Sequence, residues 1–147
     1  MQDGKEYEPM AAYGQSKTAN MLTAVSWASK LKNRGITAFS VHPGTVRTSI
    51  GRSVTKEQLD KMGITVDENG EFKSSGGIVI DFISHSQGAA SILVAAIDPN
   101  IKDRSGAYLA ECRVDHGSPI VAEALDEGNA ERLWELTEHL VGEKFEL

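Results

Sequence analysis

The stretch ITAFSVHPG, residues 36 to 44, limits the possible fold more than any other part of the chain. Its first seven residues are mostly apolar without strict alternation, which reads as a strand covered on both faces, as in a parallel sheet. Pro43 and Gly44 then stop it abruptly, because proline removes a donor and fixes φ while glycine admits a left-handed turn. A parallel strand reaches its neighbour only through a crossover, usually a helix. The rest of the chain is therefore read for helices that make such crossings and for a second strand.

Upstream, Pro9 to Asn33 is helical in pattern, with Pro9 in the first turn and Gly35 placed for a left-handed cap. Tyr13, Lys17, Asn20, Ala24, Ala28 and Leu31 follow steps of three and four and share one side. Downstream, the loop TVRTSIGRS leads to Thr55-Lys56-Glu57-Gln58, a capping-box spacing that opens a short helix ending near Gly63. Asn69-Gly70 signals a hairpin, and Ser74 to Gly77 reads as loop. SQGAASILVAAID, residues 86 to 98, reads as a buried helix that Pro99 ends, and Gly106 to Leu109 as a second strand. Asn129 is set to cap a last amphipathic helix, with Leu133, Leu136, Leu140 and Val141 inward and Gly142 after it. Helix, strand, helices, strand, helix is the alternation of α/β layers on a parallel sheet. Two strands alone make a marginal sheet, so the chain reads as part of something larger.

The totals narrow the function classes. A length of 147 residues suits one domain, and 40% apolar with 24% charged residues excludes a wholly disordered chain. With a net charge of −6 and scattered basic residues, no footprint for nucleic acid is present. Cys112 is the only cysteine, so no disulfide forms within the chain, and an intracellular, cytoplasmic setting is expected. The polar N-terminus lacks the apolar core of a signal peptide, and no apolar run is long enough to span a bilayer. His42, His85, His116 and His139 are scattered without ligand spacing, so no metal is expected. His42 reads as a packed or hydrogen-bonded histidine. Ser16-Lys17-Thr18 looks like the tail of a phosphate loop, but Ala11 and Ser16 stand where that loop needs glycine. Gly76-Gly77 matches no dinucleotide fingerprint either.

The chemistry-bearing pair is Tyr13 and Lys17, one helical turn apart. A free phenol titrates near 10 and is a poor base at neutral pH. An ammonium about 4 Å away favours the phenolate by about 4 kcal/mol at an effective dielectric of 20, while burial opposes it. A second positive group, such as an oxidised nicotinamide ring, completes the arrangement. The pair then suits moving a proton to or from an alcohol oxygen while a hydride leaves or arrives at carbon. Alone it is weak evidence, since with three tyrosines and nine lysines a chance Tyr-x-x-x-Lys arises in roughly one such chain in five.

Several stretches together resemble one family. YGQSKTAN, residues 13 to 20, resembles the active-site helix of the short-chain dehydrogenases/reductases, and ITAFSVHPGTVRTSI resembles the strand and Pro-Gly loop that follow it. QGAASILVAAI and SGAYLAEC resemble the last helix-strand unit of retinol-dehydrogenase-like members. The resemblance covers about residues 7 to 115 and leaves 116 to 147 as a tail and helix within one partial domain. It implies Tyr13 as catalytic acid/base, with Lys17 favouring its phenolate and holding the nicotinamide ribose. It further implies Pro43 and Gly44 turning the backbone toward the nicotinamide, with Val46 and Thr48 contacting its carboxamide and neighbouring phosphates. The cofactor implied is NAD or NADP, and the substrate an alcohol, ketone or aldehyde. Asn20 is expected to buttress the helix, and Thr45 and Arg47 to have no direct role.

The family's Thr-Gly-x-x-x-Gly-x-Gly loop, its Asn-Ala-Gly segment and its catalytic serine have no counterpart in these residues. The expectation is accordingly the C-terminal part of a doubly wound, Rossmann-type domain whose N-terminal nucleotide-binding half is missing, inactive in isolation. The alternative is a non-catalytic interaction protein derived from that fold, forming a homo-oligomer through the Tyr13-bearing helix.

Overall fold

The computed structural model describes residues 7–49, 52, 54–75, 79–114, 117 and 120–147. Helix α1 runs Pro9–Lys30, with Pro9 in the first turn and the Glu8 carboxylate accepting from the Met10 and Ala11 N–H groups. It ends three residues before the predicted Asn33, because Lys32–Arg34 tightens into a 3₁₀ turn that Gly35 closes at φ 69°. Strand β1, Ser40–His42, is shorter than the apolar run that announced it. Thr55 caps α2, Lys56–Lys61, through the anticipated capping box with Gln58. Strands β2, Ile64–Val66, and β3, Phe72–Ser74, pair antiparallel around Asn69-Gly70. Helix α3, His85–Ile97, starts on a second capping box that the sequence reading missed, Ser84 with Gln87. Strand β4 is Tyr108–Ala110, β5 is Arg113–Val114, and α4 is Glu127–Val141.

Parallel pairing of β1 with β4 sets Ser40 beside Tyr108, Val41 beside Leu109 and His42 beside Ala110. Both strands therefore end at the same level. The three-stranded sheet is mixed, since β5 folds back antiparallel on β4 through a two-residue turn. Glu111 and Cys112 make that turn at φ 47° and 61°, the left-handed conformations such a tight hairpin requires. Neither is glycine, so no turn signal marked it.

Leu109 of β4 is fully buried, while Leu22 and Val25 of α1 join Ala130 of α4, with Leu125 and Leu133 against them. The Ser26 hydroxyl of α1 donates to the Ala130 carbonyl at 3.0 Å, and Lys30 pairs with Glu131 at 2.8 Å. Two expectations for α4 are corrected here. Its cap is Asp126, whose Oδ1 accepts from the Asn129 N–H, so Asn129 lies inside the first turn. Its inward residues are Ala130 and Leu133, and Leu136, Leu140 and Val141 are exposed. Only the first turns of α4 rest on α1, so a long apolar stripe outruns its cover. Helix α3 was likewise expected to be buried. It buries Gly88 and Ser91, while Ile92, Leu93 and Ile97 are 54%, 56% and 75% exposed. Trp27 is exposed, and half-buried Trp134 lies edge-on to Phe145 with its Nε1–H donating to Glu138.

In the β2–β3 hairpin, Asp67 accepts from the Lys73 ammonium at 2.7 Å and from the N–H groups of Asn69 and Glu71. The Lys73 hydrogen bond and then the Glu71 N–H hold this carboxyl below its ordinary range. A carboxyl depressed in the fold contributes stability above its unfolded value and loses it as pH falls through the folded one. Acidification below the usual carboxylate range should therefore loosen this hairpin. Amide exchange of residues 64–74 should show it, and Asp67→Asn should abolish the pH dependence. In the core, Leu109→Ala should cost about 2–5 kcal/mol in chemical denaturation, the range for a buried leucine truncated without collapse.

Candidate active site

Two groups of residues hold the functional candidates. The first lies on the exposed amino-terminal half of α1. A helical step of four brings the Lys17 Nζ to 5.1 Å from the centroid of the Tyr13 ring. Tyr13 is 54% exposed, and Lys17 and Asn20 are exposed beside it. The Ser16 hydroxyl is turned back on the Tyr13 carbonyl at 2.7 Å, leaving the phenol flanked by the lysine. This is a solvent-facing phenol and ammonium on one helix face.

The second group is the loop after β1, which is held more firmly than its exposure suggests. The Gly44 N–H donates to His42 Nδ1 at 2.9 Å. Gly44 sits at φ 88°, a conformation that favours glycine, and a Cβ there would lie 2.5 Å from Ile83 Cδ1, so the end of that side chain would have to shift. Next, the Ile83 N–H donates to the Thr45 carbonyl at 3.0 Å, and Val46 bridges Ile83 in parallel. Val46 then fits a notch in α3, where a Cβ on Gly88 would meet its Cγ2 at 2.5 Å. Arg47 stacks on an aromatic pair, its guanidinium carbon 4.8 Å from the Phe82 ring centroid and 5.7 Å from that of Phe72. The two rings meet edge-on at 5.2 Å. Arg47 is thus held against these rings.

At the carboxyl ends of β1 and β4 this loop borders a cavity of about 670 Å³, into which His42, Pro43, Gly44, Ser91, Tyr108 and Cys112 face. The Ser91 hydroxyl accepts from the Cys112 N–H at 3.0 Å and closes the cavity floor against the β4–β5 turn. Burial pushes the Tyr108 phenol above its ordinary range, so it stays neutral there. Crevices outside the carboxyl ends of parallel strands are where open α/β sheets bind ligands.

Of the six residues singled out from sequence, Pro43 and Gly44 line this cavity, and Tyr13 and Lys17 stand together on α1 outside its lining. Val46 points into the α3 notch, so only its main chain is free to meet a ligand. Thr48 is exposed farther along the loop. Gly76, Gly77 and His116 lie outside the described residues. Sequence reasoning missed the parts played by Gly88 and Ile83, while His42, read as packed or hydrogen-bonded, accepts from the Gly44 N–H. Gly88 carried a readable signal, since glycine inside a helix often marks a close approach of another segment. Nothing local distinguished Ile83.

Gly88→Ala gains about 1 kcal/mol of helix propensity but overpacks Val46, a stiff β-branched side chain, at about 1–3 kcal/mol. The single variant should be neutral to destabilised, and Val46→Ala added to it should restore or exceed the original stability in thermal unfolding.

No family model matches the chain. Among curated proteins, it is 34% identical over 141 residues to short-chain dehydrogenase TIC 32 A, chloroplastic, of Brassica napus, covering 95% of this chain and 39% of that protein. It is 32% identical over 147 residues to retinol dehydrogenase 12 of Mus musculus, covering 99% and 41%. It is 33% identical over 142 residues to a probable oxidoreductase of Streptomyces lividans, covering 89% and 45%. The chain therefore spans about two fifths of the length of the curated relatives it matches.

Proposed function

This chain is a relative of the short-chain dehydrogenases/reductases, retinol-dehydrogenase-like members among them, and from that premise we propose that it carries the proton-transfer and nicotinamide-facing part of an NAD(P)-dependent oxidoreductase. The observation that carries the reading is the Lys17 ammonium standing over the Tyr13 ring on an exposed helix face. Tyr13 gives its phenolic proton to a carbonyl oxygen during reduction and takes it back from an alcohol during oxidation. Lys17 is the cation beside the phenolate left behind. NAD or NADP, when bound, supplies or accepts the hydride. The main chain of Val46 and the hydroxyl of Thr48 are the groups for the carboxamide end, and Pro43 and Gly44 set their direction.

The residues present suit the nicotinamide half of the dinucleotide. A glycine loop at a strand end with positive φ brings backbone close to a ligand, and the adjoining cavity has room. They supply no Gly-rich helix start for the pyrophosphate, so affinity for the whole dinucleotide is weak and turnover by these 147 residues is low. The substrate is a small alcohol, ketone or aldehyde, in a reducing compartment such as the cytoplasm. Among the described residues no helix is long and apolar enough to cross a membrane.

Calorimetric titration tests this directly. Nicotinamide mononucleotide should bind within about threefold of NADH or NADPH, because the groups present serve one half of the molecule. Lys17→Met should weaken both, and Tyr13→Phe should remove whatever ketone reduction the chain shows while leaving binding nearly intact. Absence of binding by either nucleotide, or activity surviving Tyr13→Phe, would overturn the reading.

One observation favours a second reading, a non-catalytic oligomerising protein. The accessible surface is 10843 Å², against about 7,400 Å² expected for a closed monomer of 15.9 kDa. Met10, Tyr13 and Trp27 on α1 and Ile92, Leu93 and Ile97 on α3 are part of that excess. Discrete oligomers on gel filtration without nucleotide affinity would decide for it.

A further inference from the structure

We propose that His42 is a positioning residue that clasps the Pro43–Gly44 turn through its Nδ1, and that protonation of its ring opens the clasp. Pro43 has no N–H, so the Gly44 N–H is the first main-chain donor after the strand, and it is spent on His42 Nδ1 at 2.9 Å. An imidazole nitrogen accepts only while it carries a lone pair, so the clasp needs the neutral ring with its proton on Nε2. Once Nδ1 carries a proton, two donors face each other and must part. The ring is exposed, so solvent protons reach it without unfolding anything.

The rest of the loop restricts where it gives way. From Thr45 onward it is held by the Ile83 N–H, by the Val46–Ile83 bridge and by the Gly88 notch, none of which titrates. Movement is thus confined to the turn itself, residues 43 and 44, at the mouth of the cavity. The cavity wall also brings the Asp81 and Glu111 carboxylates, the Tyr108 phenol and the Cys112 thiol toward His42. Helix α3 has no Asp, Glu, Lys or Arg and offers only His85 at its first residue. Helix α1 carries Lys17 and Lys30, and neither lines the cavity. The functional consequence, a nicotinamide-facing loop that is ordered when His42 is neutral and released when it is charged, rests on the reading given above. The clasp itself does not.

The test is nitrogen-15 NMR on the whole chain, following the His42 ring nitrogens and the Gly44 amide together from about pH 8 to about pH 5. Expected are the Nε2–H form at the upper end and a loss of Gly44 exchange protection of about fivefold, the worth of one ordinary hydrogen bond, in step with ring protonation. His42→Ala should lose that protection at every pH. His42→Asn should keep it at every pH, because an asparagine oxygen accepts from the N–H two residues on and does not titrate here. A merely space-filling histidine predicts neither the rescue nor the step. An Nδ1–H ring at the upper pH, or Gly44 protection indifferent to ring protonation, would overturn the proposal. Adding nicotinamide mononucleotide separates the two readings: a clasp that titrates while the amides of Gly44, Val46 and Thr48 ignore the nucleotide sinks the cofactor assignment alone. Amides that respond to nucleotide while Gly44 ignores His42 sink the clasp alone.

Discussion

The parallel ladder between β1 and β4 is the constraint on which the other features depend. Two strands side by side in the same direction must be joined by a connection that travels back the length of the sheet, and α3 makes that return here. The register of Val41 opposite Leu109 then brings both carboxyl ends to one level, so the loop after His42 and the turn after Ala110 face each other across one cavity. Without that pairing, Pro43-Gly44 would be an ordinary strand terminator with nothing opposite it. Leu109, fully buried, holds the ladder from inside.

Around this ladder the chain is unevenly covered. Leu22, Val25 and Ser26 of α1 are buried against α4, whereas its first turns, which carry Tyr13 and Lys17, are largely in solvent. The same openness leaves the outer face of α3 apolar and exposed, which is the part of the surface that accounts least well for itself as a monomer.

Local chemistry made a good part of this legible. Pro9, Gly35, the Thr55–Gln58 box and Asn69-Gly70 each act within a few residues, so their signals survive without tertiary knowledge, and each marks an element boundary or a turn in the structure. The Tyr13–Lys17 spacing is equally local, and helix geometry alone brings the pair together. Misreadings arose where burial was inferred from composition. SILVAAI looked like the interior of a helix packed all round, yet Ile92, Leu93 and Ile97 are exposed, because periodicity ranks faces without saying how many neighbours exist to cover them. The α4 cap fell on Asp126 in place of Asn129, since both residue types are good caps and local spacing does not choose between them.

What the sequence by itself determined is most of the element boundaries and the standing of Tyr13 beside Lys17 on one helix face, because hydrogen-bond caps, turn residues and a four-residue helical step all operate over short range. What only the tertiary structure decided is which groups hold the Pro-Gly loop. Ile83 and Gly88 lie about forty residues from Gly44 and Val46 and meet them only after the crossover is made, through a contact with no room for a methyl group. The antiparallel β5 was hidden for a related reason. Glu111 and Cys112 turn left-handed with no glycine to advertise it, and the Cys112 N–H reaches an oxygen on α3 that no local pattern could have supplied.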